Sequence, residues 1–313
     1  MIDPMEQDRH AHAVGHSHAH AHLDYGRAFA IGIALNLVYV VAEAAAGLIS
    51  GSLALLADAA HNLGDVLSLS LAWGAAVLSR RRPSGRFTYG LRSSSILAAL
   101  ANAIILLVVT GGIAWEALGR LSRPVSVAAT IVIWVAAAGI LVNGVTALLF
   151  ASGSRRDLNL KTVFLHMAAD TLVTATVVAA GIAIALTGWL WLDPAVSLFV
   201  SAVIVIGTWG LVKSAIGLAL NAVPEGVDTA AVRAHLLDIR GVTGLHDLHI
   251  WGMSTTETAL TCHLVMPDGH PGDATLSGIA QQLHDRFGVH HATIQIELAD
   301  TDEVCVLTPE HVV

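Results

Sequence analysis

Between residues 27 and 218 the chain runs in long apolar blocks separated by short polar breaks, and on either side the pattern changes. A membrane-crossing helix needs about 20 predominantly apolar residues. Six blocks are long enough: 27–49, 53–79, 94–118, 127–151, 162–187 and 194–218. Short turns join some of them, as at Ser50-Gly51-Ser52 and Trp191-Leu192-Asp193-Pro194. Residues 1–24 are polar, with almost nothing to bury, which predicts a disordered tail. The tail's mixed charges argue against a secretory leader. From Pro224 the pattern shortens. A helical period covers about 228–238, alternation follows at 245–252 and 258–266, then a helix at 273–287 and a strand at 291–298. That order predicts a small α+β domain of the ferredoxin-like, split βαβ kind. The expected division is a tail (1–24), a bundle of six transmembrane helices (25–223) and a terminal α+β domain (224–313).

Composition sharpens this. The chain is 55% hydrophobic and 13% charged, where soluble domains hold about 25% charged residues. Mean hydropathy is +0.68. A net charge of −8 without a basic stripe argues against nucleic-acid binding. The two cysteines, Cys262 and Cys305, are too few for a disulfide scaffold and suit a reducing compartment. The basic residues concentrate in two loops: Arg80, Arg81, Arg82, Arg86 and Arg92 after the second block, and Arg155, Arg156 and Lys161 after the fourth. Only Arg120 and Arg123 fall on the opposite side. The positive-inside bias puts both termini in the cytoplasm. Compact loops suggest a bacterial inner membrane.

Ionisable residues at bilayer depth are expensive and point to function. Those within the blocks are Glu43, Asp58, His61, Asp65, Glu116, His166 and Asp170, with Glu116 near a block end. The second block contains DAAHNLGD and the fifth HMAAD. Each has a histidine followed four residues later by an aspartate, His61 with Asp65 and His166 with Asp170, so each pair shares one helix face. A single pair could be a structural hydrogen bond. Two pairs of the same order, aimed at one point, make a four-ligand nitrogen and oxygen site suited to tetrahedral Zn²⁺ and less to Mg²⁺ or Ca²⁺. Two aspartates also neutralise the dication. Asp58 shares the His61 stripe as a group orienting an imidazole, a proton-relay group or an alternative ligand. Asn36 and Glu43 share a face of the first block, either lining an entry path or bonding between helices.

At these residues the chain resembles the cation diffusion facilitators, a cation-efflux family that includes zinc exporters. The resemblance rests on SLALLADAAHNLGD, FTYGLRSSSILAALAN, SRRDLNLKTVFLHMAAD, VPEGVD and GVTGLHDLHIWGMS, and covers about residues 26–300. It implies that His61, Asp65, His166 and Asp170 are transport ligands for zinc, exchanged against protons by a homodimer joined largely through its cytoplasmic domains. It also implies that His246, His263, His290 and Glu297 bind regulatory zinc in the terminal domain. Alternation on adjacent strands puts such residues on one face. His249 and Trp251 are assigned to the fold, and Cys262 to the face opposite His263. Two departures stand out. Ser95 replaces an acid common in relatives, which puts an ion pair or gate there in doubt. The loop RRRPSGRFTYG lacks His, Asp, Glu and Cys, so a second metal site found there in some relatives is expected to be absent. The tail's His10, His12, His16, His18, His20 and His22 are either weak metal collectors or a solubilising arm.

Zinc ligands must be deprotonated, so alternating exposure of one site gives Zn²⁺ out against H⁺ in. Co²⁺, Cd²⁺, Ni²⁺ or Fe²⁺ could use the same donors. An intramembrane zinc protease would need an open ligand position and a motif such as HExxH, which is absent. A membrane-anchored metal sensor would need no ligands in the bilayer.

Overall fold

A computed structural model describes residues 25–79, 83–151 and 158–298. Six long helices come first: α1 (Tyr25–Ser50), α2 (Leu53–Ser79), α3 (Ser94–Ser122), α4 (Ala129–Ala151), α5 (Leu158–Thr187) and α6 (Leu192–Ala219). Each matches one apolar block. Among the described residues, Ser94–Ser122, Leu165–Thr187 and Leu192–Ala219 are long and apolar enough to cross a membrane, and Asn36–Ser50 and Ala129–Gly144 are shorter apolar stretches. The bundle is inside-out relative to a soluble one: Trp115, Trp134, Leu172, Leu186 and Ile206 stand exposed on its outer surface. Water would not tolerate that much contiguous apolar surface, and lipid does.

Small residues let the helices approach. Ala54, Ala57 and Ala136 are buried against Leu55, Val177 and Val200 in the bundle core. α4 lies along α5 and α3 along α6, while α2 touches α1, α3, α5 and α6. The α1–α2 turn is closed by Gly51 at φ 71°, a left-handed conformation that glycine adopts without Cβ strain. The first turn of α2 has orphan backbone N–H groups. Asp193 of α6 reaches across to them, accepting from Leu53 N at 2.8 Å, Ala54 N at 3.3 Å and the Ser52 hydroxyl at 2.5 Å. Arg120 ties α3 to the same turn by donating to the Gly51 carbonyl at 2.7 Å.

The terminal layer follows as α7 (Thr229–Leu237), β1 (Gly244–Gly252), β2 (Thr258–Val265), α8 (Asp273–Phe287) and β3 (Val289–Glu297). Asp228 caps α7, accepting from the Ala230 and Ala231 amides at 2.9 and 3.1 Å. The sheet order is β1-β2-β3, with β1–β2 antiparallel and β2–β3 parallel. Element order is as expected, but the split is not: β2 and β3 are direct neighbours, and no strand lies between them among the described residues. Alternation along a strand reports its two faces, not which strand lies beside it, so the sequence could not supply this. Val232, Leu236, Leu260, Leu264, Ile279 and Leu283 form the core between sheet and helices.

Among the described residues, polar and ring contacts join the two parts. Arg92 Nη1 lies 2.7 Å from Glu257 Oε2, and Ser93 donates to the Met253 carbonyl at 3.2 Å. Thr255 N donates to Ser95 Oγ at 3.1 Å, and the Tyr89 and His291 rings meet edge-on at 5.6 Å. Ser95 therefore makes a neutral contact, and the ion pair sits one turn earlier, at Arg92.

Candidate metal centre

α2 and α5 each carry a histidine and an aspartate one turn apart, and the fold turns both pairs toward each other. His61 Nε2 lies 2.9 Å from Asp170 Oδ1 and 3.9 Å from Asp65 Oδ2. His166 Nε2 lies 3.4 Å from Asp65 Oδ1 and 3.6 Å from Asp170 Oδ2. A tetrahedron with metal–ligand distances of about 2.0–2.1 Å has edges of about 3.3 Å. The four observed nitrogen–oxygen separations bracket that value. The group of His61, Asp65 and Asp170 converges closely enough to hold a metal ion. His166 stands beside this group on the more open side, its ring centroid 6.3 Å from that of His61. The Asp170 side chain is 5% exposed and the His166 side chain 47%, so the cluster has a buried floor and an accessible edge.

Asp58 is buried one turn before His61 but stands outside this converging group. Glu43 is fully buried and bonds between helices: it accepts from Tyr39 Oη at 3.0 Å and from Asn62 Nδ2 at 2.9 Å. Asn36 is half-buried two turns before it on α1. The tail histidines from His10 to His22 lie outside the described residues.

The sheet holds a second cluster. His246 Nε2 lies 3.2 Å from Glu297 Oε2, and His263 Nδ1 lies 2.9 Å from Glu297 Oε1. Register explains it: His246 pairs with His263 across β1–β2, and Glu297 lies at the same end of β3, opposite Val265. These three could hold a metal ion. His290 does not join them. It sits at the other end of β3, exposed, its Nδ1 accepting from Thr258 N at 3.3 Å and its ring against His284 at 5.4 Å.

Asp247 lies beside them instead. A break in register between His246 and His249 gives Asp247 a φ of 50°. Such a bulge re-aims a side chain. The Asp247 carboxylate then lies 3.5 Å from His263 Nε2 and 2.9 Å from His249 Nε2. Strict alternation hid both residues. The adjacent HDLH spacing was the available signal. Cys262 faces the core as expected, and burial pushes its thiol up to about 12.

Comparison with known proteins agrees with this architecture. The family model described as the cation efflux transmembrane domain matches residues 29–218, and the cation efflux protein cytoplasmic domain matches residues 224–299. The chain belongs to the cation efflux family. It is 36% identical over 278 residues to the cation efflux system protein CzcD of Alcaligenes sp. strain CT14, covering 88% of each chain. It is 35% identical over 271 residues to the zinc transporter ZitB of Pectobacterium atrosepticum, covering 86% of this chain and 84% of the relative. It is 33% identical over 266 residues to the cadmium, cobalt and zinc/H(+)-K(+) antiporter of Bacillus velezensis, covering 83% and 85%.

Proposed function

We propose that the chain exports divalent metal, Zn²⁺ foremost, from the cytoplasm in exchange for protons. The observation that carries this reading is the convergence of His61, Asp65, His166 and Asp170 from two helices of a cation-efflux-family bundle. Two imidazoles and two carboxylates suit tetrahedral Zn²⁺ and neutralise it inside the bilayer. Relatives named for zinc transport and for cadmium, cobalt and zinc antiport support metal as cargo.

In this reading all six helices cross the membrane, residues 25–223 form the transport domain, and residues 1–24 and 224–313 lie in the cytoplasm. The membrane is a bacterial inner membrane. Two copies associate through the terminal domain and membrane helices. His246, His263 and Glu297, with Asp247 and His249 beside them, bind regulatory zinc. Facing a neutral cytoplasm, the transport site sheds protons to take metal; facing a more acidic exterior, protons displace it.

A metal panel tests the cargo. Everted vesicles containing the protein are offered Zn²⁺, Co²⁺, Cd²⁺, Ni²⁺ and Fe²⁺ under a proton gradient, alongside growth rescue of an efflux-deficient strain. Zinc uptake and rescue exceeding those of the other ions are expected. Failure to move any of the five would overturn the reading, and preference for another ion would replace zinc.

A further inference from the structure

α6 ends at Ala219, and the chain turns sharply before the terminal domain. Asn221 has a φ of 60°, a left-handed conformation that asparagine tolerates better than most residues. The Leu220, Asn221 and Ala222 amides donate back to the Ile216, Leu218 and Gly217 carbonyls at 3.0, 3.1 and 2.8 Å. The matched transmembrane domain stops at residue 218, and the matched cytoplasmic domain starts at residue 224. The turn therefore lies where the membrane gives way to water.

A groove opens beside this turn. Two cavities of about 330 and 380 Å³ share Ser214, Leu218, Pro224 and Glu225, so they are continuous. Each is large enough for a small ligand. Lys213 lines the first, and Glu257, on the turn between β1 and β2, lines the second. Lys213 stands one and a half turns before the end of α6, about 9 Å along the axis. Its long stem carries the ammonium to the headgroup level.

Charge is divided along the groove. Lys213 and Glu225 are both exposed and line the same cavity. Glu257 adds a second carboxylate, ion-paired with Arg92 at 2.7 Å. Apolar surface adjoins these charges. Ile216, Leu220 and Val223 are exposed around the turn, Leu220 at 76%. An acyl chain lying along the end of α6 removes them from water. The fitting ligand is thus amphiphilic, with an anionic group for Lys213 and a cationic one for Glu225.

We infer that the groove binds a zwitterionic phospholipid with a primary-amine headgroup, of the phosphatidylethanolamine class, its phosphate at Lys213 and its ammonium at Glu225. A primary ammonium donates charge-assisted hydrogen bonds to a carboxylate, and a quaternary choline has no N–H to donate. An anionic headgroup such as phosphatidylglycerol meets two carboxylates, Glu225 and Glu257. The bound lipid touches α6, the linker and the β1–β2 turn, which Arg92 and Ser95 already tie to the start of α3. It therefore adds a further tie between the two parts of the chain. The site is separate from both histidine clusters and does not depend on the export reading.

The test is native mass spectrometry of the purified full-length protein in detergent, offered equal amounts of phosphatidylethanolamine, phosphatidylcholine and phosphatidylglycerol with the same acyl chains. The unaltered protein is expected to retain phosphatidylethanolamine over each of the others by about fivefold, the upper end of what one exposed charge pair contributes. Glu225→Gln should erase that preference. Lys213→Gln should weaken all three lipids alike, because they share the phosphate. Equal retention of the three lipids by the unaltered protein overturns the proposal, as does tightest retention of phosphatidylglycerol; neither outcome depends on how a variant folds. A preference that survives Glu225→Gln puts the lipid elsewhere on the bundle and overturns it too.

Discussion

His61 Nε2 of α2 and Asp170 Oδ1 of α5, 109 positions apart in sequence, approach to 2.9 Å and link the two helices. Without metal this contact is a hydrogen bond between an imidazole and a carboxylate. In the proposed reading, a bound metal would make it one edge of a coordination shell. Asp170→Asn keeps the shape and removes the charge. It is expected to weaken zinc binding by about 100-fold, at or beyond the upper end of the loss seen when a group that only supports a ligand is removed. Equilibrium titration of the purified protein with zinc measures it.

Gly139 makes a different kind of prediction. An added methyl must displace Tyr39, and overpacking of this sort costs about 1–3 kcal/mol. Gly139→Ala should therefore lower thermal stability while zinc affinity stays close to that of the unaltered protein. Thermal unfolding in detergent beside zinc titration separates the two effects.

The sheet cluster distinguishes residues that the sequence grouped together. His263→Ala and Glu297→Ala should abolish zinc binding at the sheet, and Asp247→Ala should weaken it, because these side chains converge. His290→Ala should leave it unchanged. Competition with a zinc-sensitive dye reads this in the full chain once Asp65→Ala has silenced the membrane site. Cys262→Ser should also leave binding intact, since the thiol is buried in the core.

Asp193 is expected to act on stability. Its carboxylate satisfies two orphan amides and a hydroxyl at the start of α2. Asp193→Ala should destabilise the bundle by about 2 kcal/mol, the upper end for loss of a helix cap. A lower thermal midpoint in detergent, restored by Asp193→Asn more than by Asp193→Ser, is the expected result.

Much of this architecture could be read from hydrophobic patterning. Each of the six apolar blocks became a helix, because a run of that length without strong breakers has few other ways to satisfy its backbone. The His61/Asp65 and His166/Asp170 pairs were legible because a four-residue spacing on a helix fixes a shared face. What stayed hidden depends on geometry that spacing does not encode. Asp247 enters its cluster through a bulge, which breaks the alternation used to assign strand faces. His290 and Glu297 lie on one strand, but seven residues of extended chain hold them at opposite ends of it. Tyr39 reaches Glu43 only because Gly139, on a distant helix, leaves room. The direct pairing of β2 with β3 likewise follows from packing between elements.

The most direct test of the central claim is zinc flux into proteoliposomes under an imposed proton gradient, comparing the unaltered protein with Asp65→Ala and Asp170→Ala at matched reconstitution. Rapid gradient-dependent zinc accumulation by the unaltered protein and none by either variant is the predicted result. Zinc accumulation at the unaltered rate in either variant would contradict the claim that α2 and α5 jointly carry the metal.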